Sequence, residues 1–145
     1  MPLQGEYEPA AAGPVRDQVE EYERSGGRSG TMMGGAPTII ITSLGAVSGK
    51  VRKHPVMRVE HEGVYAAVAS KRGAPTHPAW HGNLLKHPLI EVQDGPSKGD
   101  FIARIASGEE RETWWERAVE AWPSYVEYQA ETDRQIPVFV LEPAN

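Results

Sequence analysis

The chain has 145 residues, of which 24% are charged and 39% are hydrophobic, and its formal net charge at pH 7 is −5. This length predicts one domain that buries roughly two-thirds of the surface that its unfolded chain exposes. The acidic balance argues against general nucleic-acid binding, and the absence of cysteine excludes disulfides, thiolate metal ligands and cysteine nucleophiles.

The N-terminal part is predicted to hold a loose segment followed by a helix. Residues 1–13 have weak hydrophobic patterning and contain two prolines. Residues 14–24 begin with a proline, which suits a first helical turn. Within this segment Val15, Val19 and Tyr22 recur at helical spacing, so we expect an amphipathic helix.

The segment after this helix separates it from the rest of the chain. Five glycines in residues 25–37 predict a flexible linker. We therefore expect an N-terminal arm at residues 1–36, made of the helix and the linker, and a compact domain at residues 37–145. The chain has no apolar run of about 20 residues and no signal-peptide core, which is typical of a cytoplasmic protein.

The compact domain is predicted to be mainly β. Short β-branched or alternating runs predict strands at residues 38–44, 56–60, 64–70, 89–93, 99–106 and 136–141. A short helix is expected at residues 77–86. Because strands and helices do not alternate strictly, a doubly wound parallel sheet is disfavoured, and we expect an antiparallel barrel with a few helices.

Two further helices are expected between the last two strands. The sequence SGEE from Ser107 has the form of a capping box and predicts a helix start. On this helix a core-facing stripe at i, i+3, i+4 and i+7 comprises Trp115, Ala118, Val119 and Trp122. A second helical segment is expected after Pro123.

Positive charge is concentrated in one part of this acidic chain. Residues 45–72 carry a local net charge of +4, from six cations and two carboxylates, which leaves −9 for the rest. The cations are Lys50, Arg52, Lys53, Arg58, Lys71 and Arg72. Glycines stand beside them, and glycine allows a backbone to approach a ligand closely. The pattern predicts a pocket for an anionic small molecule.

Two loops offer the chemistry for such a pocket. Residues 45–50 (GAVSGK) are one residue shorter than a nucleotide-triphosphate loop, and Val51 stands where a magnesium-binding hydroxyl is required. An anion-binding nest and a hairpin turn with solvated lysines both remain open here. The SKRG sequence from Ser70 follows a strand and again supplies a hydroxyl and two cations. Its alternative is a plain strand-to-loop exit.

A histidine pair and a tyrosine pair are further candidates for site residues. His77 and His81 lie four apart on a predicted helix but lack a third ligand, so no metal is expected. Trp80 is either a core residue or a wall beside a planar ligand. Tyr125 and Tyr128 share one helix face, where phenols either pack or donate hydrogen bonds to a substrate oxygen.

Three blocks of the sequence resemble the deazaflavin-dependent nitroreductase family of actinobacteria. They are TSLGAVSGKVRKHPV, ASKRGAPTHPAWHGNL and YVEYQAETDRQIPVFVLEP, and the likeness covers about residues 37–143. It implies a split β-barrel of the flavin-mononucleotide-binding-oxidase type. It also implies binding of coenzyme F-420, an 8-hydroxy-5-deazaflavin with a phosphate and a polyglutamate tail.

The resemblance also implies site residues. The first loop would contact the coenzyme through Ser48, Gly49, Lys50, Val51 and Arg52, with Pro55 close by. The second loop would hold the phosphate through Ala69, Ser70 and Lys71, and the deazaflavin would be flanked by Ala79, Trp80, His81, Gly82 and Asn83. Tyr125 and Tyr128 match the family's substrate-side tyrosines, which makes them the implied catalytic residues.

The chain departs from the family at two places. Ala46 and Val47 stand where an Arg-Lys pair is common, which removes two cations near the coenzyme tail. Trp122 stands where close relatives have a tyrosine, which argues against activity on bulky nitroimidazole prodrugs.

The implied function is hydride transfer from C5 of reduced coenzyme F-420 to a quinone or an activated nitro compound. Two alternatives stay open: a flavin-mononucleotide-dependent split-barrel oxidoreductase, and a deazaflavin-binding or carrier protein without turnover, which the loss of cations at Ala46 and Val47 favours. The partner is a small-molecule acceptor rather than a nucleic acid. Because the N-terminal helix is acidic, we expect at most a peripheral contact with membranes.

Overall fold

The computed structural model describes residue 3 and residues 5–144. Residues 1, 2 and 4 of the predicted N-terminal arm and residue 145 of the predicted compact domain lie outside it. The helices are α1 (Pro14–Arg24), α2 (Ala79–Lys86), α3 (Gly108–Ala121) and α4 (Ser124–Ala130). The strands are β1 (Met32–Met33), β2 (Ala36–Leu44), β3 (Val51–Met57), β4 (Val59–His61), β5 (Val64–Val68), β6 (Leu89–Asp94), β7 (Ser97–Ile105) and β8 (Val138–Pro143). A single 3-10 turn follows β5 at Lys71–Gly73.

The strands form one antiparallel sheet that carries the mainly β architecture expected from the sequence. Its order is β1-β2-β6-β7-β8-β5-β4, and β3 pairs with β2 off this path. The β2–β3 hairpin is long, and its register runs from Thr38 opposite Met57 to Leu44 opposite Val51. Residues of helix α2 contact strand β2 of this hairpin.

The paired strands β5 and β8 contribute buried residues to both faces of the sheet. Alternate residues point to opposite sides, so Ala66 and Val140 join one hydrophobic cluster while Ala67 and Phe139 join another. Helices α3 and α4 cover the first cluster, and α2 closes the second with Leu84. Each large buried side chain of this kind stabilises the fold by about 1.5–3 kcal/mol relative to its exposed state.

Helix α1 has the predicted bounds and is fixed to the sheet. Val19 and Tyr22 are buried against Ile40. The Tyr22 hydroxyl donates to the Thr38 carbonyl oxygen at 3.1 Å and accepts from the Gly95 N–H at 2.8 Å. The division of the chain at residue 36 stays a prediction.

Three local predictions are corrected by the structure. The predicted linker contains strand β1, which pairs with the start of β2. Strand β3 begins at Val51 rather than at residue 56, because the basic segment pairs with β2 along its whole length. The predicted capping box is absent: Ser107 makes no side-chain capping bond, and Glu110 pairs with Arg104 at 2.6 Å.

The stripe expected on α3 does face the core, since Ala118 is buried and Trp115, Val119 and Trp122 pack against the same cluster, but the buried tryptophan is Trp114. Trp114 and Ala118 are the buried residues of this helix. Trp115 is only half-buried and packs against the rim of the cluster, with its ring 6.1 Å from that of Tyr125. Helical spacing alone does not decide which of two adjacent tryptophans faces the sheet.

Candidate functional site

Trp80 stands between two cavities and lines both of them. The first, here called the tyrosine cavity, has a volume of about 360 Å³. It is lined by Pro55, Met57, Val68, Ser70, Lys71, Arg72, Trp80, Trp122, Tyr125 and Tyr128, with residues of β1 and its turn at the edge. The second, the hairpin cavity, has a volume of about 460 Å³. It is lined by Ala10, Val15, residues 45–48, Arg52, Lys53, His54, Ala79, Trp80, Gly82 and Asn83.

Helix α2 is hydrogen-bonded to the tip of the β2–β3 hairpin. The Gly45 N–H donates to the Lys50 carbonyl oxygen at 2.8 Å and closes the turn. The side-chain oxygen of Asn83 accepts from the Ala46 N–H at 2.9 Å, and the Lys86 ammonium donates to the Ala46 carbonyl oxygen at 2.9 Å. The first basic loop is therefore a hairpin turn whose tip is tied to the helix that carries Trp80.

The cations of this hairpin are ion-paired with the N-terminal arm. Residues 6–8 run beside Val51, where the Glu8 N–H donates to the Val51 carbonyl oxygen at 2.9 Å. This pairing brings Glu6 to within 3.6 Å of Lys50 and Glu8 to within 3.0 Å of Arg52. Exposed pairs of this kind contribute about 0–1 kcal/mol, so an anionic ligand can displace them.

The arm also neutralises the next cation of β3. The ammonium of Lys53 contacts the carboxylate of Glu23 on α1 at 2.5 Å and lies 5.0 Å from the centre of the Tyr7 ring. This side of the hairpin cavity is consequently less cationic than its sequence indicates. The solvated lysines expected for a hairpin turn are instead partnered within the chain.

The second basic loop has cations without carboxylate partners. Among the described residues neither Lys71 nor Arg72 forms an ion pair, and the Lys71 ammonium donates only to the Thr76 hydroxyl, at 3.3 Å. Both residues line the tyrosine cavity. Their backbones are left-handed, with φ of 46° and 54°, as is that of Gly73 at 81°. A Cβ on Gly73 would lie 2.7 Å from the Tyr128 carbonyl oxygen, so this turn requires glycine against α4.

The two tyrosines of α4 differ in exposure. Tyr125 is 4% exposed, and burial together with the neighbouring Tyr128 raises the pKa of its phenol. The two rings meet edge to face at 6.0 Å. The Trp122 indole N–H donates to the Tyr128 hydroxyl at 3.3 Å, which holds this hydroxyl at the wall of the cavity. Tyr128 is therefore the more accessible of the two phenols that line the tyrosine cavity.

His54 is a site residue that the sequence interpretation missed. Its ring stacks on Trp80, with 5.1 Å between centroids and 12° between planes. Its Nε2 atom is buried without a hydrogen-bond partner among the described residues. Burial, and secondarily the charge of Arg52, lower the pKa of His54 to about 3, so the ring is neutral at pH 7. Because β3 begins at Val51 and side chains alternate along a strand, His54 lies on the same face of β3 as Arg52.

The structure brings most of the predicted site residues to these cavities. Ser48, Arg52, Ala79, Gly82 and Asn83 line the hairpin cavity; Pro55, Ser70, Lys71, Tyr125 and Tyr128 line the tyrosine cavity; Trp80 lines both. Gly49, Lys50, Val51, Ala69 and His81 line neither. The functional assignment of all these residues stays a prediction.

The five that lie outside the cavities have other surroundings. Gly49 is in the hairpin turn and Lys50 pairs with Glu6, while Val51 and Ala69 are buried. His81 stacks on His77 with 4.1 Å between centroids. The described part of the chain contains no cluster of three or more acidic or histidine side chains that could hold a metal ion.

A family model described as F420H(2)-dependent quinone reductase matches residues 14–143. The chain belongs to this family. The match confirms the resemblance to deazaflavin-dependent reductases, and the family's name confirms coenzyme F-420 as the cofactor. The chain is 31% identical over 124 residues to the F420H(2)-dependent quinone reductase Rv1261c of Mycobacterium tuberculosis, covering 83% of each chain.

Solved structures agree with this membership. The structure of an F420-H2 dependent reductase, FDR-A, has 54% sequence identity and a TM-score of 0.70, over 73% of this chain and 94% of that one. A Listeria innocua structure that bears the name of pyridoxamine 5′-phosphate oxidase has a TM-score of 0.54 at 13% identity, over 74% and 84% of the two chains. The predicted split β-barrel is confirmed. No helix among the described residues is long and apolar enough to span a membrane.

Proposed function

We propose that this protein reduces quinones with reduced coenzyme F-420 bound along Trp80, and that the tyrosine cavity receives both the coenzyme phosphate and the acceptor. The proposal rests on the lining of one cavity in a chain that belongs to this family. Trp80 and Tyr128 line this cavity together with the cationic side chains of Lys71 and Arg72, which have no carboxylate partner among the described residues. The same wall therefore offers aromatic surface, positive charge and a phenol.

The residues present fit a planar ligand with an anionic arm. Trp80 is backed by His54 on one side and by Phe139, whose ring centroid lies 5.8 Å away, so its ring is held in a fixed orientation. The His54 ring lines the hairpin cavity beside Trp80 and adds to the aromatic surface there. Charge-assisted hydrogen bonds from Lys71 would hold a phosphate.

The protein's contribution is binding, orientation and stabilisation of charge. When bound, the reduced deazaflavin supplies the hydride. Lys71 and the hairpin would fix the remote phosphate and carboxylates and thereby orient the ring toward the acceptor. Tyr128 would donate a hydrogen bond to the quinone oxygen, where negative charge develops as hydride arrives, and Trp122 would keep the phenol in place.

Activated nitro compounds are a second acceptor class in this proposal. They are electron-poor, and their oxygens can accept the same hydrogen bond from Tyr128. The six-membered ring of Trp122 closes one side of the cavity, since its Cη2 atom lies 2.5 Å from where a Cβ on Gly34 would stand. We expect compact quinones to be better acceptors than bulky nitroimidazoles.

Titration and transient kinetics test the function directly. The purified protein is titrated with oxidised coenzyme F-420, and the reduced coenzyme is then mixed with menadione in a stopped-flow instrument, with a protein-free control. We expect saturable binding and a protein-dependent rate of coenzyme oxidation. Binding without such a rate would establish the carrier alternative. A flavin spectrum in the purified protein, without deazaflavin affinity, would establish the flavin-mononucleotide alternative.

Peripheral membrane contact through the arm remains a prediction. Of the apolar side chains of α1, Val19 and Tyr22 are buried against the sheet, and Val15 is about half exposed at the hairpin cavity. Binding to vesicles of neutral and anionic lipids, measured by sedimentation, tests it. Retention by neither vesicle would contradict the prediction.

A further inference from the structure

The turn that carries Lys71 and Arg72 has a backbone that ordinary side chains disfavour. Two successive non-glycine residues are left-handed there, and Gly73 extends the left-handed run. A left-handed backbone places Cβ too close to the following carbonyl oxygen, so it persists only where surrounding contacts impose it. The turn therefore depends on contacts from outside itself.

Arg134 supplies those contacts from a distant part of the chain. Its Nη2 donates to the Ser70 carbonyl oxygen at 2.7 Å, its Nη1 to that of Ala69 at 3.1 Å, and its Nε to that of Ala74 at 2.9 Å. Nη1 also lies 2.9 Å from the Nδ1 atom of His77. One guanidinium thus binds carbonyl groups on both sides of the turn, 60 to 65 residues away in sequence.

These bonds also decide where the amide groups of the turn point. In a trans peptide the C=O and the N–H point in opposite directions. Since the carbonyls of Ala69 and Ser70 face Arg134, the N–H groups of Ser70 and Lys71 face away from it. Among the described residues, none accepts a hydrogen bond from the backbone N–H of Ser70, Lys71 or Arg72.

The backbone of this turn has the form of an anion-binding nest. Ser70 is right-handed, with φ of −77° and ψ of −40°, and Lys71 is left-handed. Successive residues of opposite hand direct consecutive N–H groups into one concavity. Lys71 and Arg72 side chains line the tyrosine cavity, whereas Arg134 lines a separate shallow groove beside Arg111 and Asp133. Arg134 can therefore act on a ligand only through the turn.

We propose that Arg134 is the positioning residue of this nest, and that it binds the carbonyl face of the turn so that the amide face is fixed for the coenzyme phosphate. The role rests on the proposed function, since it assumes that the coenzyme binds here. Arg134 has no contact with the ligand in this scheme. Replacing Arg134 should weaken binding of the phosphate and leave binding of the deazaflavin ring unchanged.

The test compares two ligands that share the deazaflavin ring but differ in the phosphate and the tail. One is coenzyme F-420, and the other is the corresponding deazariboflavin, which lacks both; dissociation constants come from fluorescence titration. Arg134→Met removes every donor, and Arg134→Lys keeps the charge. Arg104→Met is the matched control, because this guanidinium binds Glu110 and Glu142 away from both cavities.

We expect Arg134→Met to weaken coenzyme binding about tenfold, the order of loss when charge-assisted hydrogen bonds are removed, with little change for the deazariboflavin. Arg134→Lys should restore part of this loss. In turnover, KM for the coenzyme should rise while kcat holds. In a Lys71→Ala background the effect of Arg134→Met should shrink, since both act on one nest.

Other outcomes distinguish a failure of the positioning role from a failure of the proposed function. Equal losses for coenzyme and deazariboflavin, or none for either, would overturn the positioning role while the function stands. A parent protein that binds neither ligand would overturn the function and this role with it. If Arg134→Met unfolds below the titration temperature, Arg134→Lys carries the same comparison, and an unchanged ratio of the two dissociation constants would overturn the proposal.

Discussion

The side-chain oxygen of Asn83 accepts a hydrogen bond from the backbone N–H of Ala46 at 2.9 Å, which joins helix α2 to the tip of the β2–β3 hairpin. Through this bond the helix that carries Trp80 and the loop that resembles a coenzyme-binding loop form one unit. Replacing Asn83 with Ala should lower the free energy of unfolding by about 1 kcal/mol, because the Ala46 N–H loses its acceptor. Coenzyme affinity should fall with it. Thermal unfolding and titration measure both, and Asn83→Asp, which keeps the acceptor oxygen, should retain most of the stability.

Replacing Lys71 with Ala should weaken coenzyme binding by roughly tenfold, the order expected for a lost charge-assisted hydrogen bond. The ammonium has no carboxylate partner among the described residues, so its removal releases no buried charge. Lys98→Ala, at an exposed position of β7, is the control and should leave the dissociation constant unchanged. Unchanged affinity in Lys71→Ala would show that the phosphate lies elsewhere.

Replacing Tyr128 with Phe should lower kcat with menadione roughly ten- to a hundredfold, because the acceptor oxygen loses a hydrogen-bond donor. The dissociation constant of the coenzyme should hold. Tyr125→Phe removes the same atom from a buried ring and should have the smaller effect on kcat. Equal losses in the two variants would contradict the assignment of the donor to Tyr128.

Replacing Glu6 and Glu8 together with Gln should strengthen coenzyme binding severalfold, since it frees Lys50 and Arg52 for the anionic tail. The gain should be largest at low salt, where exposed charges are least screened. Titrations at low and high ionic strength measure it, and Glu62→Gln is a control on a distant exposed carboxylate. A weaker complex would mean that the arm supports the site rather than competing with its ligand.

The imidazole of His54, whose Nε2 atom is buried, should make the stability of the protein depend on pH. Its pKa is lowered from 6.5 in an exposed histidine to about 3 in the folded state. As pH falls, the unfolded chain therefore binds a proton at this histidine before the folded protein does. Stability should fall as pH drops below about 6.5, by up to about 1.4 kcal/mol per unit. Urea unfolding at neutral and mildly acidic pH measures this, and His54→Phe, which keeps the stack, should reduce the dependence. An identical dependence in both proteins would contradict the shift.

The sequence determined those features that depend on neighbouring residues. Helix α1 has its predicted bounds because a leading proline and the spacing of Val19 and Tyr22 are local signals. Strand β2 likewise follows from its β-branched run. The three motif blocks indicated the family, and with it the split barrel and the cofactor, because each block is contiguous in the chain.

The tertiary structure decided the features that join distant segments. Strand β3 begins at Val51 because its register with β2 continues to Leu44, and the KHP sequence within it has no clear strand pattern of its own. The pairing of Glu8 with Arg52 depends on how the arm approaches the hairpin. Arg134 meets Ser70 only when β8 pairs with β5 and brings the two ends together. Such contacts have no periodicity in the sequence, because they depend on which segments the fold brings together.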